Sequence, residues 1–359
     1  MSERAIHKFD PNRALFEMQY EWGEDFARES GDFISMIGED DQRFPPSLRT
    51  HVEGAPVPPD VVDGIANGAP APVIEMREQM KAQEEETKWI GMAGDLLAAG
   101  HDVAIVTNHT DLPDIAYAQA LITTQIARQQ AKLDPNFSFS RGVVINGMVE
   151  FMEFKLSGSY MSGVQALQLL ESDIYFSFPR TPSTERRIAE KARSEDQKDA
   201  MLDAVDGHNK AMRRKIMADL YRKNMLLAVA ASGTTDEVVH LPDDHDMGTT
   251  ESGLILPKKQ IHMAKAGDGT AKMLTGQTIR GFPNAEVYIL PVGLYYERIP
   301  SEDPEEPDTF EQVTFKVAAP PMLARNEMSI HYAMSLIADT LTVETNDDTG
   351  FFYPEVEAA

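Results

Sequence analysis

The chain has 359 residues, no cysteine, and 58 Asp and Glu against 33 Lys and Arg, which gives a formal net charge of −25. The lack of cysteine excludes disulfide scaffolds, cysteine-ligated zinc and iron–sulfur sites, and thiol catalysis. The acidic balance argues against nucleic acid as a partner, because phosphate contacts require concentrated Lys and Arg. The longest wholly apolar run, Met225 to Ala231, is far shorter than the roughly 20 residues of a spanning helix, so we expect no transmembrane span.

The N-terminal part of the chain predicts a small helical subdomain over residues 1–84. Asp10 before Pro11 is typical of a helix start. Aromatic side chains then recur at spacings that fit one face of a helix; they are Phe9, Phe16, Tyr20 and Phe26. The segment 43–72 is rich in Pro and Gly, which is typical of turns and short helices at the edge of a subdomain.

Residues 85–359 predict an α/β domain. A helix over Met76 to Leu97, which Gly100 ends, leads into it. Short apolar strands then alternate with helices. The predicted strands are Val103–Val106, Phe137–Ile145, Ile174–Phe178, Met225–Ala231 and Val287–Tyr295, and the predicted helices are Ile115–Lys132, Gly163–Glu171 and Ala189–Lys223. This alternation predicts an α/β fold: a mostly parallel mixed sheet flanked by helices, with the smaller N-terminal helical subdomain beside it.

The first candidate site follows the first predicted strand. Ligands of open α/β sheets bind outside the carboxyl ends of the strands, and here His109 is followed, after four residues, by Asp114. A turn into a helix would bring the carboxylate to the imidazole, where it fixes the ring and stabilises its protonated form. The alternative is that Asp111 or Asp114 caps the helix and His109 is an ordinary polar residue. We favour the functional interpretation.

The second candidate site follows the most apolar strand. It contains Ser232, Gly233, Thr234 and Thr235, which offer backbone N–H groups and hydroxyls for an oxyanion or a phosphate. A common turn explains this stretch equally well. Its position after a second buried strand favours a site.

We call the two candidate sites corners, because the chain turns there at the end of a predicted strand. Together they resemble the glycerolipid acyltransferase superfamily over roughly residues 85–300. The four blocks of the resemblance are a His-x4-Asp motif at His109 and Asp114, a basic residue at Arg180, a third block at Ala230–Asp236 similar to that of the soluble, plastid-type glycerol-3-phosphate acyltransferases, and an apolar strand with a proline at Val287–Gly293. Their order and spacing fit the family.

The resemblance implies an O-acyltransferase of phospholipid biosynthesis. It implies transfer of a fatty acyl group from acyl-coenzyme A or acyl carrier protein to a hydroxyl of glycerol-3-phosphate or a related glycerol-like acceptor. The implied catalytic pair is His109, the general base, and Asp114, which orients it. The implied substrate-binding residues are Arg180, Ser232, Gly233, Thr234 and Thr235.

The resemblance implies no metal and no cofactor beyond the thioester, which is a co-substrate. We expect a cytoplasmic protein, or a protein of the plastid stroma if a transit peptide has been removed, with at most transient contact with a membrane. Thr234 and Thr235 stand where the family carries phosphate-binding Arg, which leaves the acceptor open. Either Arg180 supplies the missing charge, or the acceptor is a neutral or differently charged alcohol.

Two other functions remain open. The first is a metal-dependent hydrolase that uses His109, Asp111 and Asp114 with the loop Asp243 to Asp246. The second is a non-catalytic lipid- or partner-binding relative that kept the scaffold but lost its phosphate-binding Arg.

Positive charge is concentrated between residues 186 and 223 of this acidic chain. The residues are Arg186, Arg187, Lys191, Arg193, Arg213, Arg214, Lys215, Arg222 and Lys223. They fit the phosphates of coenzyme A or the acidic surface of an acyl carrier protein. For any single residue, a solvated helix face with i,i+4 ion pairs is the more ordinary interpretation.

Overall fold

The protein, seen in a computed structural model, is built around a mixed β-sheet with helices on both faces. The structure describes residues 9–11, 14, 71–109, 114–146, 172–178, 182–232, 237–240, 259–264, 267–275, 286–299, 309–341, 343–346 and 351–354. The helices are α1 (Ala71–Ala82), α2 (Glu84–Ala98), α3 (Asp114–Gln130), α4 (Pro182–Lys191), α5 (Glu195–Lys223), α6 (Asp268–Leu274) and α7 (Glu327–Thr340). The strands are β1 (Asp102–Thr107), β2 (Ser140–Asn146), β3 (Asp173–Ser177), β4 (Met225–Ala230), β5 (Glu237–His240), β6 (Lys259–Ala264), β7 (Val287–Ile299), β8 (Thr309–Val317), β9 (Met322–Leu323), β10 (Val343–Asn346) and β11 (Phe351–Pro354).

Within the described residues, seven strands form the main sheet in the order β3-β2-β4-β1-β7-β8, with β9 beside the first part of β7. The first five strands of this order run parallel, and β8 and β9 run antiparallel to β7. Both β1 and β4 are buried along their whole length. Their nearly continuous apolar sequences fit strands that are covered on both faces.

Pro291 lies inside β7, where it has no N–H to donate to a neighbour. The partner of β7 on this side changes here, because Tyr288 and Ile289 pair with β9 whereas Val292 begins the pairing with β8. The carbonyl of Pro291 accepts a hydrogen bond from the N–H of Ala318 in the turn between those two strands. Pro291 therefore lies where β7 changes its antiparallel partner from β9 to β8.

Helices α1, α2 and α3 cover one face of the sheet and share one apolar core with it. Helices α2 and α3 approach closely at Gly94, where an added Cβ would lie 2.8 Å from Nε2 of Gln130 and 3.3 Å from Cγ2 of Ile126. Helix α1 packs against β8 at the edge of the sheet and contributes Met76 and Met80 to this core. Helix α1 is thus part of the α/β core.

Helices α5, α6 and α7 cover the opposite face and form a second core with the other sides of the same strands. The core residues of α7 recur at helical spacing, as expected for an amphipathic helix; they are Ile330, Ala333, Met334, Ile337 and Ala338. A third, smaller core joins α4 to the start of α5 beneath Phe178. A separate antiparallel sheet has the order β10-β11-β6-β5.

The predicted fold class is confirmed, because the main sheet is mixed, mostly parallel and flanked by helices. Gly100 ends α2 as predicted, with a φ of +87° that favours glycine. Most of residues 1–70 and the predicted helix over 163–171 lie outside the described residues. The domain boundary at residue 84 therefore stays a prediction.

Two long helices of the sequence analysis are each interrupted in the structure. The first is broken at Gln83, whose backbone is extended between α1 and α2. The second is broken before Ser194, whose hydroxyl accepts a hydrogen bond from the N–H of Gln197 and so caps α5. Neither break contains a proline or a glycine, which is why the sequence did not reveal them. None of the helices in the described ranges is long and apolar enough to cross a membrane.

Candidate functional site

Strand β1 delivers His109 to the carboxyl edge of the main sheet. Asn108 fixes the chain just before it, because its side-chain amide donates to the carbonyl of Leu294 at 2.7 Å and accepts from the N–H of Leu294 at 2.8 Å. The Asn108 side chain is fully buried. Its two hydrogen bonds join the chain to β7 just beyond Thr107, where the backbone pairing of β1 with β7 ends. The next residue, His109, is 8% exposed, so its imidazole is largely buried. The two hydrogen bonds of Asn108 fix the backbone directly before it.

The register of the sheet brings the second candidate corner beside the first. Thr107 of β1 pairs with Ala230 of β4, so His109 and Ser232 each lie two residues beyond the same level of adjacent parallel strands. The N–H of Ala231 donates to the carbonyl of Thr107, which continues the contact past the end of β4. His109 and Ser232 therefore leave the same edge of the sheet side by side.

The chain turns to opposite faces of the sheet after these two strands. After β1 it enters α3, whose buried side chains belong to the core shared with α1 and α2. After β4 and the small sheet it reaches α6, which belongs to the opposite core. The N–H of Gly267, just before α6, donates to the carbonyl of Ala231, so α6 is anchored to the corner after β4. Divergence of this kind at the carboxyl edge is where open α/β sheets bind ligands.

The structure describes only part of the predicted site. Helix α3 begins at Asp114, but the Asp114 side chain lies outside the described residues. Four further predicted site residues also lie outside them; they are Arg180, Gly233, Thr234 and Thr235. The roles predicted for these five residues, and those predicted for His109 and Ser232, therefore stay predictions. Of the seven predicted residues, the structure brings His109 and Ser232 to one edge.

The segment that leads to Arg180 is held by α5. The Asn209 side chain donates to the carbonyl of Phe178 at 2.7 Å and accepts from its N–H at 2.9 Å. The ring of His208 packs edge-on against Phe178, with the ring centres 5.2 Å apart. These contacts fix the chain two residues before Arg180, and the sequence analysis attached no role to Asn209.

A cavity of about 120 Å³ lies near the carboxyl ends of β2, β3 and β4, beneath α5 and α6. Its polar lining residues are Ser177, Asn209, Arg213 and Thr270, and Gly269 contributes backbone. The sequence analysis included Arg213 only in a general concentration of basic residues. The interpretation of these basic residues as partners in i,i+4 ion pairs holds for Lys215, whose Nζ lies 2.8 Å from a carboxylate oxygen of Asp219.

An ionisable group with a shifted pKa lies at the other end of β1. Burial raises the pKa of the Asp102 carboxyl to about 7, although the hydrogen bond that it accepts from the N–H of Met225 opposes this shift. Asp102 begins the strand that His109 follows, so the full length of β1 separates the two. We therefore assign Asp102 a role in stability.

The described part of the chain contains no group of three or more His, Asp or Glu placed to hold a metal ion. Asp243 to Asp246, the acidic loop of the hydrolase hypothesis, lies outside the described residues. No model of a known protein family matches the chain, and no curated protein sequence matches it. The resemblance to the glycerolipid acyltransferases therefore rests on the motifs themselves.

Proposed function

We propose that this protein is an acyltransferase that moves a fatty acyl group from a thioester to a hydroxyl of a glycerol-like acceptor. One observation carries the proposal: His109 stands at the carboxyl end of a central parallel strand, and the next helix begins five residues later at Asp114. A histidine and a carboxylate at such a corner suit general-base chemistry. The position of Ser232 on the adjacent strand end supports it.

The proposed reaction needs a base because an alcohol is a poor nucleophile at neutral pH. His109 removes the hydroxyl proton as the oxygen attacks the thioester carbonyl, and Asp114 orients the ring and stabilises the imidazolium. The tetrahedral oxyanion receives hydrogen bonds from the backbone near Gly233, and the thiol leaves when the carbonyl re-forms. His109 returns its proton to the departing thiolate. This route forms no covalent intermediate with the protein.

The proposed donors are acyl-coenzyme A and acyl carrier protein, and the proposed acceptor is glycerol-3-phosphate or a related alcohol, within phospholipid biosynthesis. Arg180 and the residues Ser232 to Thr235 bind the substrates in this proposal. We place the reaction in the cytoplasm or in a plastid stroma. Either donor must approach a chain with a net charge of −25, so its recognition depends on local positive charge.

The test measures release of free thiol from an acyl thioester in the presence of a panel of glycerol derivatives. We expect His109→Ala to lower turnover by about 10²–10⁴-fold, which is the usual contribution of a positioned base. Asp114→Asn should lose most of the activity, because an amide neither holds the same ring tautomer nor stabilises the imidazolium.

His101→Ala provides the matched control. His101 precedes the opposite end of β1 and lies 3.6 Å from a carboxylate oxygen of Glu286, so it is another histidine beside an acid but is remote from the candidate site. We expect this variant to keep wild-type turnover. Acyl transfer at the wild-type rate by His109→Ala would refute the proposal, as would a lack of thiol release with every acceptor.

A further inference from the structure

Helix α7 carries an apolar stripe on the side that faces away from the main sheet. Its core residues all lie on the other side of the helix. Met328 is 68% exposed and Tyr332 is 58% exposed, and the half-buried Leu336 follows one turn later. Residues four apart are neighbours on a helix, so these three side chains form one row, which we call the α7 stripe. Met and Tyr are enriched at protein–protein interfaces.

A charged side chain lies beyond each end of the α7 stripe. Arg325 precedes Asn326, the N-cap residue of α7, and Asp339 lies in the last turn of the helix. Both are exposed, and neither forms an ion pair within the part of the chain that the structure describes. Both charges oppose the dipole of their own helix, which favours anions at the N-terminus and cations at the C-terminus. The stability of α7 by itself therefore does not explain them.

The stripe and its two charges are self-complementary about Tyr332. Arg325 and Asp339 lie seven residues to either side of it. Met328 and Leu336 lie four residues to either side. In an antiparallel pair of α7 helices with its twofold axis at Tyr332, Arg325 of each copy faces Asp339 of the other. Met328 likewise faces Leu336.

The charges select the antiparallel arrangement and a second copy of the chain as the partner. In this arrangement Arg325 lies beside the C-terminus of the other helix and Asp339 beside its N-terminus, where the helix dipole favours each charge. A parallel pair would place Arg325 against Arg325 and Asp339 against Asp339. The two charges that are unfavourable for an isolated α7 thus become favourable in the antiparallel pair.

We propose that this protein self-associates through α7 in an antiparallel, twofold-symmetric pair. A twofold interface uses the same surface patch on both subunits, which requires the self-complementarity that the α7 stripe has. The 14 residues of α7 span about 21 Å, and a pair of such helices buries less than the roughly 800 Å² per partner of a standard interface. The dimer is therefore weak, with a dissociation constant of roughly 10–100 µM. The proposal does not depend on acyl transfer.

Sedimentation equilibrium of the full-length protein from about 5 to about 300 µM measures the association. We expect the dimer fraction to rise over this range. Tyr332→Lys should raise the dissociation constant by about tenfold or more, because it places two like charges at the axis. Leu133→Lys is the matched control, since Leu133 is 76% exposed but lies in the turn after α3. It changes the net charge equally and should alter the dissociation constant less than about twofold.

Charge reversal tests the antiparallel register. Arg325→Glu and Asp339→Lys each place like charges opposite one another, and each should raise the dissociation constant by about threefold or more. The two substitutions change the net charge in opposite directions, so a loss in both cannot come from net charge. The double variant should return to within about twofold of the wild type, because the pairs are restored with their signs exchanged.

The absence of cysteine from the chain allows a direct test of the symmetry. A residue on a twofold axis faces its own copy, so Tyr332→Cys should form an intermolecular disulfide under mild oxidation. Leu133→Cys should not do so at the same concentration, although Leu133 is the more exposed of the two. Circular dichroism checks the fold of each variant.

Four results would overturn the proposal. The first is a protein that stays monomeric over the whole concentration range. The second is an equal effect of Tyr332→Lys and Leu133→Lys, which would place the contact elsewhere. The third is a double charge reversal that does not recover the association. The fourth is equal cross-linking of the two cysteine variants, which would indicate random collision.

Discussion

Asn108 is the residue on which the geometry of the candidate site most directly depends. Its buried amide forms two hydrogen bonds to the backbone of Leu294, which lies 186 positions further along the chain. A buried backbone N–H or carbonyl that loses its partner costs about 1–3 kcal/mol. The side chain therefore stabilises the fold and fixes the neighbouring His109 at once.

We expect Asn108→Ala to lower the free energy of unfolding by about 2–5 kcal/mol, because both backbone groups of Leu294 lose their partner. Urea denaturation followed by circular dichroism measures this change. Asn136→Ala is the control, since Asn136 is exposed and the variant should stay within about 0.5 kcal/mol of the wild type. Equal effects of the two substitutions would show that the Asn108 amide contributes no special stability.

Asp102 links the stability of the sheet to pH. Its pKa in the folded protein is about 7 because the carboxyl is buried, whereas an exposed aspartate has a pKa near 3.8. The folded state therefore binds this proton more tightly than the unfolded state. The stabilising contribution of the protonated group is fully present below about pH 4 and is lost as the pH rises towards about 7.

Asp102→Asn should remove this dependence, because the amide stays neutral and its oxygen still accepts from the N–H of Met225. We expect the variant to gain stability relative to the wild type by up to about 2–3 kcal/mol between about pH 5 and about pH 8. Urea denaturation at both pH values measures the gain. Asp203→Asn, at an exposed position of α5, should show no such change. A difference between Asp102→Asn and the wild type that does not vary with pH would contradict the assignment.

At the scale of the elements, glycines have different roles in the helices. Gly100 has a left-handed φ of +87° and ends α2, although an added Cβ would meet nothing within 4 Å. Gly207 lies inside α5, also with open space around it, and has no such φ. Two equally open positions thus differ in backbone conformation alone.

Alanine substitutions at these two glycines should have opposite effects on stability. We expect Gly207→Ala to raise the free energy of unfolding by about 0.5–1 kcal/mol, since alanine has the higher helix propensity. Gly100→Ala should lower it by about 1–2 kcal/mol, because a side chain disfavours the left-handed region. Thermal and urea denaturation of both variants check the signs. Destabilisation by Gly207→Ala would reveal a constraint on α5 other than backbone propensity.

At the scale of the whole molecule, a contact between distant parts of the chain covers the β8 edge of the main sheet. Gln79 of α1 donates to the carbonyl of Val313 at 2.6 Å and accepts from the N–H of Phe315 at 2.8 Å. The helix thereby uses backbone groups that β8 would otherwise leave open at the edge of the sheet. Helix α1 and strand β8 are more than 230 residues apart in sequence.

The corner of β1 and the corner of β4 also meet only in the folded chain. Their strands begin 123 residues apart, yet they are neighbours because the strand order places β4 between β2 and β1. The alternation of short apolar strands with helices predicted an α/β class and the carboxyl edge as the place for a site. It did not predict the strand order, and therefore did not establish that His109 and Ser232 would be adjacent.

The sequence alone determined those features that depend on neighbouring residues. Apolar runs specified β1 and β4, Gly100 ended α2, and the His109 corner followed directly from its position after a strand. The breaks at Gln83 and Ser194 were not predicted, because neither contains a proline or a glycine to mark the end of a helix.

Which polar side chains meet depends on the packing of the folded chain. Asn108 could be recognised as important only when Leu294 was found beside it, and Asn209 only when Phe178 was found beside it. The physical reason is that a hydrogen bond or a cavity depends on groups from remote segments. Local sequence sets the conformation of each segment, but the packing of all segments sets which of them become neighbours.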